Sequence, residues 1–149
     1  MFTLCRLPLG DTMSPPFSNG PNVVNFFTES FKIFGQKWGA SQVSQTTGGT
    51  VTYSFAESNF GNQFADFDSF ITEEAFQTDI TSAFAVWEDV ANVQFKLVSD
   101  SSAVDIRLGW GNLDGVGGTL GAAIVPSSGP LDGVIVRFDR DENWSTGGN

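Results

Sequence analysis

Asp114, Asp139 and Glu142 are the side chains in this sequence whose type and spacing could do chemistry. Asp114 opens a loop that also holds Gly115, Gly117 and Gly118, and Asp139 and Glu142 lie three residues apart farther along. Glycines accept positive φ, so such a loop can turn its carbonyls toward one centre. One turn of backbone brings Asp139 and Glu142 round to the same side. Carboxylate and carbonyl oxygens are the hard ligands that Ca²⁺ takes. The spacing fits a solvated acidic loop beside a glycine turn equally well. A carboxylate pair is also the minimal equipment of a glycoside hydrolase, but no second, aromatic-lined carboxylate site accompanies it.

Histidine is absent from all 149 residues and Cys5 is the only cysteine. No Ser-His-Asp triad, Cys-His pair or imidazole metal site can therefore be built from this chain. Chemistry here must use carboxylates or come from outside these residues. The single cysteine also rules out an intrachain disulfide. Seven basic against 17 acidic residues give a net charge of −10, which argues against nucleic acid or an anionic membrane as partner. No apolar run is long enough to span a bilayer. The first ten residues lack the basic start and sustained apolar core of a secretory signal. With 40% hydrophobic residues, 15 of the residues being Phe, the chain can bury one core.

These groups must be positioned by a framework, and the hydrophobic periodicity supplies one. Residues 1–21 are rich in Pro, Ser, Gly and Leu and read as a leader. Residues 25–34 carry Phe27, Phe31 and Phe34 at helical spacing, stopped by Gly35. A polar loop over 40–49 follows, and then Val51, Tyr53 and Phe55 alternate as a strand. Residues 56–70 read as a loop. The clearest helix starts at Thr72 as N-cap, with Glu73 and Glu74 in the first turn and Ile71 stapled onto Phe76. Its apolar face, Phe76, Ile80, Ala83, Trp87 and Val90 or Ala91, is expected to pack on a sheet as core. Val93, Phe95 and Leu97 mark a second strand, and Val104, Ile106, Leu108 and Trp110 a third. Residues 120–125 give a short, glycine-containing edge strand, and Val134, Val136 and Phe138 a fifth strand. The expected fold is α/β (α+β): a twisted mixed sheet of about five strands with a long crossover helix.

Several stretches, in order, resemble the N-terminal half of a metzincin zinc endopeptidase domain of the matrixin or serralysin kind. They are Lys37-Trp38-Gly39, Gly49-Thr50-Val51-Thr52-Tyr53-Ser54-Phe55, Phe84-Ala85-Val86-Trp87-Glu88 with Val93-Gln94-Phe95, Val104-Asp105-Ile106-Arg107, Asp114-Gly115-Val116-Gly117-Gly118-Thr119-Leu120, and Phe138-Asp139-Arg140-Asp141-Glu142-Asn143-Trp144. The resemblance divides the chain into a leader with a short helix over 1–36 and a metallopeptidase-like part, the upper subdomain, over 37–149. In that family H-E-x-x-H-x-x-G-x-x-H, on a helix after D-x-D-E-x-W, binds the zinc and supplies the general base. The sequence ends at Asn149 before such a helix, so the expectation is a truncated domain, inactive as it stands, with no catalytic residue and no zinc ligand.

The resemblance further implies structural Ca²⁺ held by the carboxylates of Asp114, Asp139 and Glu142 and the carbonyls of Gly115, Gly117 and Thr119. It implies that Leu120, Gly121 and Ala122 bind an extended peptide or protein substrate by main-chain hydrogen bonds. The positions of the family's structural-zinc histidines read Ala122 and Arg137. A second calcium would have Asp105, but Ile135 stands where an aspartate is wanted. A monomer is expected, secreted through a C-terminal signal outside this chain, as serralysins are. The competing reading is a non-catalytic, calcium-stabilised binding or structural module.

Overall fold

The computed structural model describes residues 36–39, 47–61, 63–127 and 131–147. The expected helix over 25–34, the leader and most of the polar loop over 40–49 lie outside them. The elements run β1 (Thr50–Phe55), α1 (Glu74–Val90), β2 (Gln94–Leu97), β3 (Ile106–Gly111), β4 (Gly121–Ile124) and β5 (Val134–Asp139). They form one five-stranded sheet in the order β2-β1-β3-β5-β4. β1 lies parallel to β2 and β3, and β3 parallel to β5, while β4 runs antiparallel to β5. The mixed sheet and single crossover helix match the alternation read from the sequence.

The sheet has two covered faces. On the helix side Val51, Tyr53, Ile106, Leu108, Trp110 and Val134 pack with Ile71 and Phe76 into the main core. Period-two alternation places every second residue of a strand on this face. α1 begins one residue later than expected. Glu73 is the N-cap and makes no side-chain cap bond. The turn is closed instead by Gln77, whose side-chain amide donates to the Ile71 carbonyl at 2.7 Å and whose N–H donates to that of Glu73 at 3.0 Å. Only the first half of the helix is well seated. Phe76 is buried and Ile80 and Phe84 are packed against the core, but Trp87 is 62% and Val90 76% exposed. The expectation that the whole apolar stripe is core therefore fails at its C-terminal end, where β2 is the edge of the sheet and its Leu97 is itself exposed.

The opposite face is covered by the loop over residues 56–70. Phe67 and Ala56 form a second core cluster with Ile135 of β5. Asn59 folds the loop on itself: its side chain donates to the Phe67 carbonyl and accepts from the Phe67 N–H, each at 2.9 Å. Ser69 bridges to Trp110 of β3. Gly109 is what lets the loop descend so far. A Cβ built there would lie 2.3 Å from the Phe67 ring. Gly109→Ala is expected to destabilise by about 1–3 kcal/mol in urea unfolding, as overpacking does. With Phe67→Ala already present most of that cost should vanish, because the two sites share one contact.

Beneath the loop Arg107 projects from β3 into a closed polar knot. Its Nε and Nη2 donate to the two carboxylate oxygens of Asp100 at 2.8 and 2.6 Å, and Nη2 also reaches the Ser58 carbonyl at 2.7 Å. Nη1 donates to Gln63 Oε1. The guanidinium lies 4.2 Å from the centre of the Phe60 ring. Asp100 accepts further from the Ser54 hydroxyl at 2.8 Å and the Glu57 N–H at 2.9 Å. Every polar group is satisfied, which makes a buried charge tolerable.

Candidate functional site: the glycine loop and the free edge

β5 ends at Asp139, and the chain turns there under the loop that links β3 to β4. Arg140 N–H donates to the Gly111 carbonyl and Asp139 N–H to that of Leu120, both at 2.9 Å, so the two segments are fixed to each other. Gly115 and Gly117 take φ of +81° and +82°, conformations that a side chain resists. Gly118 is required for a different reason. A Cβ there would stand 2.5 Å from Asp114 Oδ1.

Asp114, Gly115, Gly117, Thr119, Asp139 and Glu142 lie on the two segments that meet at this corner. Asp139 is buried. Its Oδ2 accepts from the N–H groups of Asp114 at 3.0 Å and Gly115 at 2.8 Å, and its Oδ1 from Asp141 at 3.0 Å. Glu142 Oε1 accepts from the Gly118 N–H at 2.8 Å. Asp114 turns back on its own loop, accepting from Thr119 N–H at 2.7 Å and from its hydroxyl at 2.8 Å. The N–H of Asp114, then that of Asp141, hold the Asp139 carboxyl below its ordinary range, and burial opposes them without prevailing. The Trp144 indole donates to the Asp139 carbonyl at 2.6 Å and ties the corner to the main core.

Whether the metals implied by the resemblance fit these residues is decided by the donors. Among the described residues no three acidic side chains gather closely enough to hold an ion. The Gly115 carbonyl is turned toward the Gly118 N–H at 3.3 Å. As arranged, the corner is a carboxylate–amide clasp. Asp105 is likewise engaged, its Oδ2 accepting from Thr52 N–H at 2.7 Å and Thr52 Oγ1 at 2.6 Å, so it lashes β3 to β1. Ile135 is core. Ala122 and Arg137 face each other across β4 and β5, and Arg137 Nη1 points at the Asp66 carbonyl, 3.4 Å away. With no histidine in the chain, the usual zinc donor set is not present either.

β4 ends the sheet. Leu120, exposed, leads into it, and Gly121 and Ala122 form its first half. Since Asp139 N–H reaches the Leu120 carbonyl, the antiparallel alternation turns the main-chain groups of Ala122 and Ile124 toward β5 and those of Gly121 and Ala123 outward. Ala123 is exposed. Of the positions implied for substrate, Leu120 and Ala122 turn their main chain inward to β5, and Gly121, though turned outward, is buried.

Sequence reasoning missed the Arg107–Asp100 knot and the part Asn59 plays in the covering loop. In the sequence Arg107 stands between Ile106 and Leu108 as a polar position of an alternating strand. A lone arginine inside a strand whose neighbours are Ile, Leu and Trp was the available signal, since its charge needs a buried partner.

A family model described as Matrixin matches residues 44–149. The chain is 30% identical over 145 residues to the hatching enzyme of Paracentrotus lividus, covering 92% of this chain and 20% of that protein. It is 28% identical over 145 residues to the 72 kDa type IV collagenase of Gallus gallus, covering 92% of this chain and 18% of that one. To karilysin of Tannerella forsythia it is 35% identical over 91 residues, 54% of this chain and 19% of that protein. The chain thus spans about a fifth of the length of these relatives.

Proposed function

The chain belongs to the matrixin family, and from that premise we propose that it works in peptide-bond hydrolysis as the upper wall of a metalloendopeptidase cleft. The edge of β4, free among the described residues, carries the reading: it can receive an extended peptide as a sixth, antiparallel strand. Ala123, small and exposed, leaves a peptide backbone room to approach, while Gly121 is buried. The reading places the protein's work on protein substrates outside the cell. Zinc would supply the activated water of the reaction, and the part of this chain's own residues is to bind and orient the substrate.

The test is peptide binding followed residue by residue. A casein-derived peptide titrated into the ¹⁵N-labelled chain should shift the amide of Ala123 more than that of Ala122, which faces β5. Ala123→Pro removes an outward N–H without touching the β4–β5 ladder and should abolish the response. Shifts confined to another part of the molecule would overturn the assignment.

A second expectation concerns the metal. No histidine and one cysteine cannot furnish three zinc ligands unless carboxylates stand in, and among the described residues no three acidic side chains gather to do so. The 149-residue chain dialysed after zinc loading should retain no stoichiometric zinc and should leave casein uncut. One zinc retained per chain, or cleavage stopped by a chelator, would contradict this.

A further inference from the structure

We propose that Asn143 is a site of N-linked glycosylation, given the extracellular setting proposed above. Asn143-Trp144-Ser145 is the only Asn-x-Ser or Asn-x-Thr tripeptide in the 149 residues. That tripeptide accepts an oligosaccharide when it lies on a surface loop of a secreted protein. The structure meets the surface condition. The three residues follow β5 and belong to no strand or helix, and Asn143 and Ser145 are both exposed. Among the described residues neither side chain is held in a hydrogen bond, so a sugar added to Asn143 displaces no contact.

Trp144 fixes how the tripeptide is presented. Its indole donates to the Asp139 carbonyl, and its ring meets Phe76 and Phe138 edge-on at 5.4 and 5.7 Å. The middle residue is thus anchored against the core while its two neighbours carry the accessible groups. The Trp144 N–H donates to the Glu142 carbonyl at 2.9 Å, which closes a three-residue turn with Asn143 at its apex. Farther on, the Gly147 N–H donates to Asp79 at 3.0 Å. The segment is therefore tied at both ends and open between them. In the transfer, Asn143 Nδ2 attacks the anomeric carbon of an oligosaccharide carried on a lipid pyrophosphate. The nitrogen–carbon bond forms, the bond from that carbon to the pyrophosphate oxygen breaks, and the lipid pyrophosphate leaves. The amide gives up one proton and keeps its other. The Ser145 hydroxyl is the group by which the transferase recognises the acceptor.

The experiment offers solubilised oligosaccharyltransferase and a lipid-linked oligosaccharide to the 149-residue chain and, separately, to a peptide of residues 139–147. Both should gain a single glycan. Peptide:N-glycosidase in H₂¹⁸O should remove it and leave ¹⁸O-labelled aspartate at position 143. Asn143→Gln and Ser145→Ala should abolish the transfer, and Ser145→Thr should raise its extent. All three changes are at exposed positions, so folding is not at stake. A peptide that is modified while the folded chain is not would overturn the proposal, because the turn would then be closed to the enzyme. Modification of neither would overturn it as well. Neither result bears on peptide pairing at Ala123, which the amide shifts report independently.

Discussion

Replacing Arg107 by alanine is expected to destabilise the protein by about 3–5 kcal/mol, the range for breaking a buried ion pair from one side. Arg107 and Asp100 have side-chain exposures of only 2% each, so solvent does little to screen them. The loss is large because of what stays behind. Asp100 would keep the Ser54 hydroxyl and Glu57 N–H but lose its countercharge, and Gln63 and the Ser58 carbonyl would lose a donor. Against a total of about 5–15 kcal/mol for an ordinary domain, the variant sits near the threshold of folding. Arg107→Lys should recover only part of the loss, since an ammonium cannot reproduce the two-pronged contact with the carboxylate. Urea unfolding of the three proteins measures both quantities, and an Arg107→Ala midpoint close to wild type would show the knot to be ornamental.

The same pair sets an acid limit. Burial is the largest single influence on Asp100 and would raise its pKa, but the hydrogen bonds from Arg107, Glu57 and Ser54 and the charge of Arg107 together bring it below the ordinary 3.8. A carboxyl whose folded pKa is depressed binds its proton more readily in the unfolded chain. Its contribution is present above the unfolded value and is lost as pH falls through the folded one. Wild type should therefore shed stability below about pH 4 more steeply than Arg107→Ala does.

Phe76→Ala should be nearly as costly, at about 3 kcal/mol, within the range for removing a buried aromatic ring. Phe76 meets Trp110 at 4.6 Å, Trp144 at 5.4 Å and Phe138 at 5.7 Å between ring centroids. It thus joins α1, β3, β5 and the segment after β5 at one point. Deleting it opens a void beneath two indoles, and partial access of water from the neighbouring groove keeps the cost from the top of the range. Phe76→Leu should lose roughly 1 kcal/mol, having similar bulk without the ring contacts. Equal losses for both variants would mean that the aromatic geometry contributes nothing.

The strands were legible because burial imposes a period of two on their side chains, and Val51, Tyr53, Ile106 and Leu108 obey it. The helix was legible for the same reason at Phe76 and Ile80. Its exposed Trp87 and Val90 were not, because an apolar stripe records what a helix could bury and says nothing about what stands opposite. The approach of the glycine loop to the turn at Asp139 could be anticipated from glycines and spacing, though among the described residues no three acidic side chains gather there. The direction of the amides could not, since it depends on backbone angles at Gly115 and Gly117 that a glycine permits without dictating. Residues 56–70 were recognisable as a loop, but the cover they form rests on Phe67 meeting Gly109 and Arg107 meeting Gln63, encounters between segments with no periodicity to announce them.

The hydrogen bond from the Trp144 indole to the Asp139 carbonyl gives the protein a built-in optical probe. Trp144 and Trp110 stand 6.3 Å apart at 49°, close enough for their transitions to couple and give a near-ultraviolet circular dichroism signal that two independent indoles would lack. Loosening of the turn after β5 would release this hydrogen bond and further hydrate Trp144, which is already 36% exposed. Its emission would shift to longer wavelength while that of Trp87, already facing water, stays where it is. Stopped-flow fluorescence can therefore time the opening of this corner separately from unfolding of the sheet, in the unlabelled protein.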